Sequence, residues 1–240
     1  MLTTFLWIFL LFFYLMLNEP YYHKARRLLK EGKTSEHDEF THWAVQLWAG
    51  RVLKSTKANI TVHGLENLPK DGAMLFVSNH QSNFDIPLLL SEIPVPKGFI
   101  AKKELGKVPF ISRWMKEIKC LFMDRDDMKQ SVQIIVDGIK ILKSGYSMVI
   151  FPEGTRSKGG PVAEFKAGSF KLATKSKVPV VPVTIDGTHQ LYEGNKNRIG
   201  FKKDIDLYIH KPIYTDTLSK EELAELHNTV RDIIVSKISR

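Results

Sequence analysis

Two hydrophobic patterns divide this chain. From residue 58 onward, short apolar runs alternate with stretches whose apolar positions recur every three or four residues. The runs Ile60 to His63, Ala73 to Ser78, Phe99 to Lys102, Cys120 to Met123, Ser147 to Phe151 and Val178 to Ile185 predict strands. Asp204 to Ile209 predicts another by alternating apolar and charged residues. Between them, Met128 to Lys143 places Val132, Ile135, Val136, Ile139 and Leu142 on one helical face. Lys166 to Lys177 predicts a shorter helix, and Glu221 to Ile238 closes the chain. Strands alternating with helices predict an α/β fold, with a mixed, mostly parallel sheet flanked by helices on both sides. Residues 58–240 therefore read as one domain, free of repeats and low-complexity linkers.

Residues 1–57 follow a different pattern. Phe5 to Leu17 is an uninterrupted apolar run carrying Phe5, Trp7, Phe9, Phe12, Phe13 and Tyr14. With Leu2 it spans about 24 Å as a helix, against a hydrocarbon core of about 30 Å. No basic residue precedes it and no small-x-small site follows, so a cleaved signal peptide is not expected. Lys24, Arg26, Arg27, Lys30 and Lys33 flank it and favour the cytoplasmic face of the inner or cell membrane. Phe40, Trp43, Ala44, Leu47, Trp48 and Val52 then recur at helical spacing, with tryptophans suited to a membrane interface. The expectation is an N-terminal two-helix membrane-anchoring segment over 1–57 that enters one leaflet or barely crosses.

Charge narrows the partners. A formal net charge of +9 attracts polyanions. No zinc-finger, RRM or KH signature is present, and the basic residues are spread among apolar helices, so nucleic acid is not an expected partner. An anionic membrane surface accounts for the charge with fewer assumptions. One cysteine forms no intramolecular disulfide, and no metal-ligand spacing such as His-Glu-x-x-His occurs, so no metal is expected.

Two segments carry chemistry, each directly after a strand-like run. In Asn79-His80-Gln81-Ser82-Asn83-Phe84-Asp85, a strand-to-helix turn after His80 places Asp85 in the first turn of a helix. Ser82 or Asn83 would cap that helix. Asp85 then reaches one ring nitrogen of His80, fixes its tautomer and leaves the other nitrogen as a base. No serine or cysteine stands as the usual nucleophile: Gly-x-Ser-x-Gly is absent, and Cys120 sits in an apolar run. The nucleophile is therefore expected to be a substrate hydroxyl. In Phe151-Pro152-Glu153-Gly154-Thr155-Arg156-Ser157, Gly154 permits a tight turn, Arg156 offers a fork suited to phosphate, and Thr155 and Ser157 add hydroxyls. Glu153 is placed either to bind a glycerol hydroxyl or to hold Arg156.

The combination resembles the glycerolipid acyltransferases of the 1-acyl-sn-glycerol-3-phosphate acyltransferase (lysophosphatidic acid acyltransferase) type. His80-x4-Asp85 looks like the first block of that family, and Phe151 to Ser157 the third. Ala101-Lys102-Lys103-Glu104-Leu105, Pro109-Phe110 and Met123-Asp124-Arg125 resemble the second, Val181 to Ile185 the fourth, and Phe165-Lys166-x-Gly168 also fits. The four blocks cover roughly residues 75 to 186 in the right order. The resemblance implies His80 as general base and Asp85 as its orienting partner. It implies that Glu153, Gly154, Thr155 and Arg156 bind the acceptor phosphate, aided by Lys102 and Arg125, with the fourth block lining the acyl path. It also implies acyl transfer from acyl-CoA or acyl-acyl carrier protein, a co-substrate rather than a cofactor, to the 2-hydroxyl of lysophosphatidic acid, giving phosphatidic acid. The alternatives are another acceptor (glycerol 3-phosphate or a different lysophospholipid), a hydrolase, or a non-catalytic membrane-binding scaffold.

Overall fold

The computed structural model describes residues 2–124 and 127–239, so Arg125 lies outside the described residues. Seven strands form one sheet: β1 (Asn59–His63), β2 (Leu75–Ser78), β3 (Lys97–Lys102), β4 (Leu121–Met123), β5 (Ser147–Ile150), β6 (Val180–Asp186) and β7 (Asp204–Ile209), in the order β1-β7-β6-β2-β5-β3-β4. Every pair is parallel except β6–β7. That pair is joined by 3-10 turns rather than a crossover helix, which lets β7 return antiparallel. The central strands β2 and β5 are buried at every position, as expected of parallel strands covered on both faces.

Five helices follow the N-terminal region: α4 (Asp85–Glu92), α5 (Ile111–Glu117), α6 (Met128–Lys143), α7 (Lys171–Ser176) and α8 (Lys220–Val235). α8 starts at a capping box in which Ser219 and Glu222 exchange side-chain-to-backbone hydrogen bonds. The predicted helix over Lys166 to Lys177 opens instead as a 3-10 turn, Ala167–Phe170, before α7. Successive β2 residues point to opposite faces: Phe76 joins the core beneath α4, and Leu75 and Val77 join the core beneath α7 and α8.

The N-terminal region forms three helices, α1 (Leu2–Leu17), α2 (Glu19–Lys30) and α3 (Thr34–Thr56), where two were expected. The basic flank is itself helical. Pro20 sits in its first turn, and Ala25 and Leu28 bury an apolar edge that its many charges conceal in the sequence. α3 buries Ala44, Val45, Ala49, Val52 and Leu53 against the same core as α4, so the face expected at a membrane is largely core packing. Trp43 stays exposed. α1 packs Trp7, Leu11, Phe12 and Leu15 inward and turns Phe5, Phe9, Phe13 and Met16 outward, with Phe5 and Phe9 69% and 65% exposed. Among the described residues no single helix is long and apolar enough to cross a membrane. α1 and α2 form a pair, bent by 41°, with the combined length and composition of a broken span.

Candidate active site

β2 ends at Ser78, and the chain reaches α4 through a turn fastened to its neighbours. Asn79 Nδ2 donates to the Ile185 carbonyl at 2.8 Å and its Oδ1 accepts from the Ile185 N–H at 2.9 Å. His80 Nδ1 lies 2.6 Å from Oδ2 of the fully buried Asp85. The same oxygen accepts the N–H groups of Gln81 and Ser82 at 2.7 and 3.0 Å, and Oδ1 accepts the Thr188 hydroxyl at 2.5 Å. Neither Ser82 nor Asn83 caps α4, contrary to expectation. The cap position is Phe84, and Asp85 reaches back from the first turn to take the N–H groups before it.

Buried carboxylates hold four successive N–H groups of this turn. Glu153 Oε1 accepts from His80 at 2.7 Å, Asp85 from Gln81 and Ser82, and Glu193 Oε1 from Asn83 at 3.0 Å. Bonds to ionised acceptors are the stronger class, so His80 sits on a fixed backbone. Its ring stacks on Phe151, with centroids 4.0 Å apart and planes 17° apart. Nδ1 is committed to Asp85, so Nε2 is the nitrogen without a partner among the described residues. His80 lines a cavity of about 730 Å³ that also meets Lys102, Gly154, Thr155, Arg156 and Lys166.

Glu153 is engaged by the backbone and is not the acid that holds Arg156. Its two carboxylate oxygens take the N–H groups of His80 and Ala163, the second at 2.9 Å. Burial raises its pKa, and those two N–H groups act in the opposite direction. Arg156 is held by Glu193 instead, with Nη1 2.5 Å from Oε1. Gly154 has φ +74°, and a Cβ there would stand 3.0 Å from Lys166 Nζ, so the glycine lets that ammonium approach the turn. Lys102 is exposed and paired with Glu104 at 3.2 Å. The fourth block does not line the cavity. Val181, Val183 and Ile185 are interior to the sheet in β6, and the apolar walls come from α1, α3, α4, α5 and β3.

Thr188, Glu193 and Lys166 complete the site and were not singled out as site residues from the sequence. Thr188 and Glu193 lie in 3-10 turns after β6, where no periodic pattern marks them. Lys166 stood within the resembling segment and was available as a signal. The fold also brings acids to other histidines: His63 Nε2 lies 2.8 Å from Asp206, and His37 Nε2 2.9 Å from Glu117. Neither histidine lines the cavity with the cationic side chains. Cys120 does line it, but burial pushes its thiol up to about 12, which keeps it protonated and a poor nucleophile.

Residues 59–186 match the family model described as Acyltransferase. A chloroplastic 1-acyl-sn-glycerol-3-phosphate acyltransferase of Brassica napus is 38% identical over 200 residues, which is 80% of this chain and 57% of the relative. The chain thus spans little more than half of that relative. A 1-acyl-sn-glycerol-3-phosphate acyltransferase of Borreliella burgdorferi is 31% identical over 196 residues, 81% of this chain and 75% of the relative. The crystal structure of the 1-acyl-sn-glycerophosphate (LPA) acyltransferase from Thermotoga maritima superposes with a TM-score of 0.77 at 30% identity, covering 95% of this chain and 93% of that one.

Proposed function

This chain belongs to the acyltransferase family, and from that premise we propose that it acylates the 2-hydroxyl of lysophosphatidic acid to give phosphatidic acid. The observation that carries this reading is one cavity bounded by His80, whose ring is held from behind by the buried Asp85, and by the cationic side chains of Arg156 and Lys166. The names of the relatives above support the acceptor. The acyl donor is acyl-CoA or acyl-acyl carrier protein.

His80 Nε2 takes the proton of the acceptor hydroxyl as its oxygen attacks the thioester carbonyl. Asp85 stabilises the imidazolium that forms and keeps Nδ1–H directed at itself. The C–S bond then breaks, and the imidazolium returns its proton to the departing thiolate. Glu193 occupies Nη1 of Arg156, leaving the rest of the guanidinium fork for the acceptor phosphate, with Lys166 beside it. Ser82 gives its hydroxyl to Glu193 at 2.5 Å and Cys120 holds its proton, which supports direct transfer without an acyl-enzyme. The apolar walls, including the inner face of α1, take the acyl chain.

The outward face of α1 supports membrane association. Phe5, Phe9, Phe13 and Met16 enter the leaflet, and Lys24, Arg26, Arg27 and Lys30 on α2 meet anionic headgroups on the cytoplasmic face. The test is an assay of the purified full chain. Lysophosphatidic acid, glycerol 3-phosphate and a lysophospholipid with a larger headgroup are each crossed with acyl-CoA and acyl-acyl carrier protein. Transfer to lysophosphatidic acid is the expected result. Failure with both donors, or release of free fatty acid instead, overturns the reading.

A further inference from the structure

Phe110 breaks a backbone rule. Among the described residues, the other positions of positive φ that are not glycine hold lysines and one asparagine. Phe110 carries a bulky ring at φ 61° and ψ −50°. Across it the Ile111 N–H donates to the Pro109 carbonyl at 2.7 Å, which makes a γ-turn of the rare, strained class. Such a turn persists only where its surroundings hold it. The strain does not bury the ring, because Phe110 is 37% exposed. Core packing therefore does not account for it.

The surroundings that hold it are the N-terminal helices. Arg113 Cζ lies 4.7 Å from the centroid of the Phe110 ring and 4.7 Å from that of Tyr22, and the guanidinium pairs with Glu19. Glu19 and Tyr22 stand in the first turn of α2, directly after α1. Phe110 is thus fastened beside the α1–α2 elbow, where α1 ends in the exposed Met16 and Leu17. The 3-10 turn before it, Lys103–Lys107, exposes Leu105 as well. Of the large apolar side chains lining the cavity, the two exposed ones are Ile8 of α1 and Leu105, so these two elements supply its apolar rim. Lys102, Lys103 and Lys107 against Glu104 leave the segment net positive.

Exposed apolar side chains set among lysines suit the interface of an anionic leaflet, and these continue a helix face already assigned to lipid. We propose that Leu105 to Phe110 is a second leaflet-seating element, with Phe110 entering lipid beside the C-terminal end of α1. A single helix lying in an interface leaves rotation about its own axis free. A second point of contact removes that freedom and presents the cavity rim at Ile8 and Leu105 to the leaflet. The inference rests on the reading above that α1 enters the leaflet.

The experiment uses the full chain with vesicles of phosphatidylcholine and phosphatidylglycerol. Cys120 is buried, so Phe110→Cys offers one accessible thiol for an environment-sensitive fluorophore. Leu65→Cys is the comparison, 42% exposed in the turn after β1, at the far edge of the sheet from β3 and β4. On vesicle binding the label at 110 is expected to shift to the blue and to be quenched by lipids brominated along the acyl chain. The label at 65 should do neither. Phe110→Gly removes the ring and suits a positive φ, so it should weaken vesicle affinity by about tenfold with the unfolding temperature close to that of the wild type. A label at 110 that stays in water while the chain floats, equal responses at 110 and 65, or unchanged affinity of Phe110→Gly each overturns the proposal. A blue shift that grows with protein concentration in the absence of vesicles would assign the patch to a second copy of the chain and overturn it too. Failure of the wild type to float at all would instead overturn the reading of α1, and this inference with it.

Discussion

Arg156 and Glu193 stand 37 positions apart, and Arg156 Nη1 lies 2.5 Å from Glu193 Oε1. The same carboxylate holds the Ser82 hydroxyl at 2.5 Å and the Asn83 N–H at 3.0 Å. One buried acid therefore ties the arginine assigned to the acceptor phosphate to the turn that carries His80. The two halves of the proposed site share an anchor, and their positions are coupled.

Glu193→Gln tests that coupling. The amide keeps the size of the side chain but loses the charge that holds Arg156 and offers one acceptor where the carboxylate offered two. We expect kcat to fall and the acceptor KM to rise together, by about tenfold each. Steady-state kinetics on lysophosphatidic acid checks it. A change in KM alone would show that Glu193 serves only the arginine.

Arg156→Lys keeps the charge and loses the planar fork. The acceptor KM is expected to rise by about tenfold while the donor KM stays near its original value. A rise confined to the donor KM would move Arg156 to the phosphates of coenzyme A.

His80→Ala is expected to lower transfer by about 10²–10⁴ with thermal unfolding unchanged. Asp85→Asn can keep its oxygen toward His80, Gln81 and Ser82 and turn its amide nitrogen to Thr188. The fold and the tautomer then survive, but the imidazolium loses its counter-charge, and a loss of similar size is expected. Single-turnover rates beside circular dichroism separate loss of chemistry from loss of structure.

Lys97 gives the fold a pH signature away from the site. Its fully buried ammonium donates to the Ile93 and Val95 carbonyls at 2.8 and 3.0 Å, and burial pushes its pKa down to about 7. Between about 7 and the unfolded value of 10.5, the unfolded chain holds a proton that the native chain lacks. Stability therefore rises with pH across that window, by at most about 1.4 kcal/mol per unit, and the cost of the buried charge is fully present below it. Lys97→Met should flatten the rise in urea titrations from pH 7 to 10.

Membrane association through α1 should resist salt. Screening weakens the contribution of the α2 basic residues, whereas burial of Phe5, Phe9, Phe13 and Met16 in lipid does not depend on ionic strength. Flotation with anionic vesicles is expected to retain the protein at high salt and release it in detergent. Phe5→Asp combined with Phe9→Asp should abolish flotation, and retention of that variant on the vesicles would place the contact elsewhere.

The parts of this molecule legible in its sequence are those governed by local pattern. Asp204 to Ile209 alternates and is β7, and the apolar stripe of Met128 to Lys143 is α6. His80 and Asp85 lie five positions apart across a strand-to-helix turn, so their pairing follows from local geometry. The parts that stayed hidden depend on tertiary closure. Glu193 reaches the turn through a segment of 3-10 structure without periodicity, and its partners are 37 and 111 positions away. α2 was concealed because five basic residues in and just after it outweigh the short edge of Ala25 and Leu28. The fourth block, expected to line the acyl path, packs in the core instead, because an apolar run reads the same whether it faces a ligand or a covering helix.

α1 is apolar on both sides for two separate reasons. Its outward aromatics face away from the protein, while Trp7, Leu11 and Leu15 form part of the chamber wall. Cutting the helix away to obtain a freely soluble enzyme would therefore unroof that chamber and let solvent in along its length. Such a trimmed protein would be short of a wall as well as a tether, and its lost activity on a water-soluble acceptor would measure the missing wall alone.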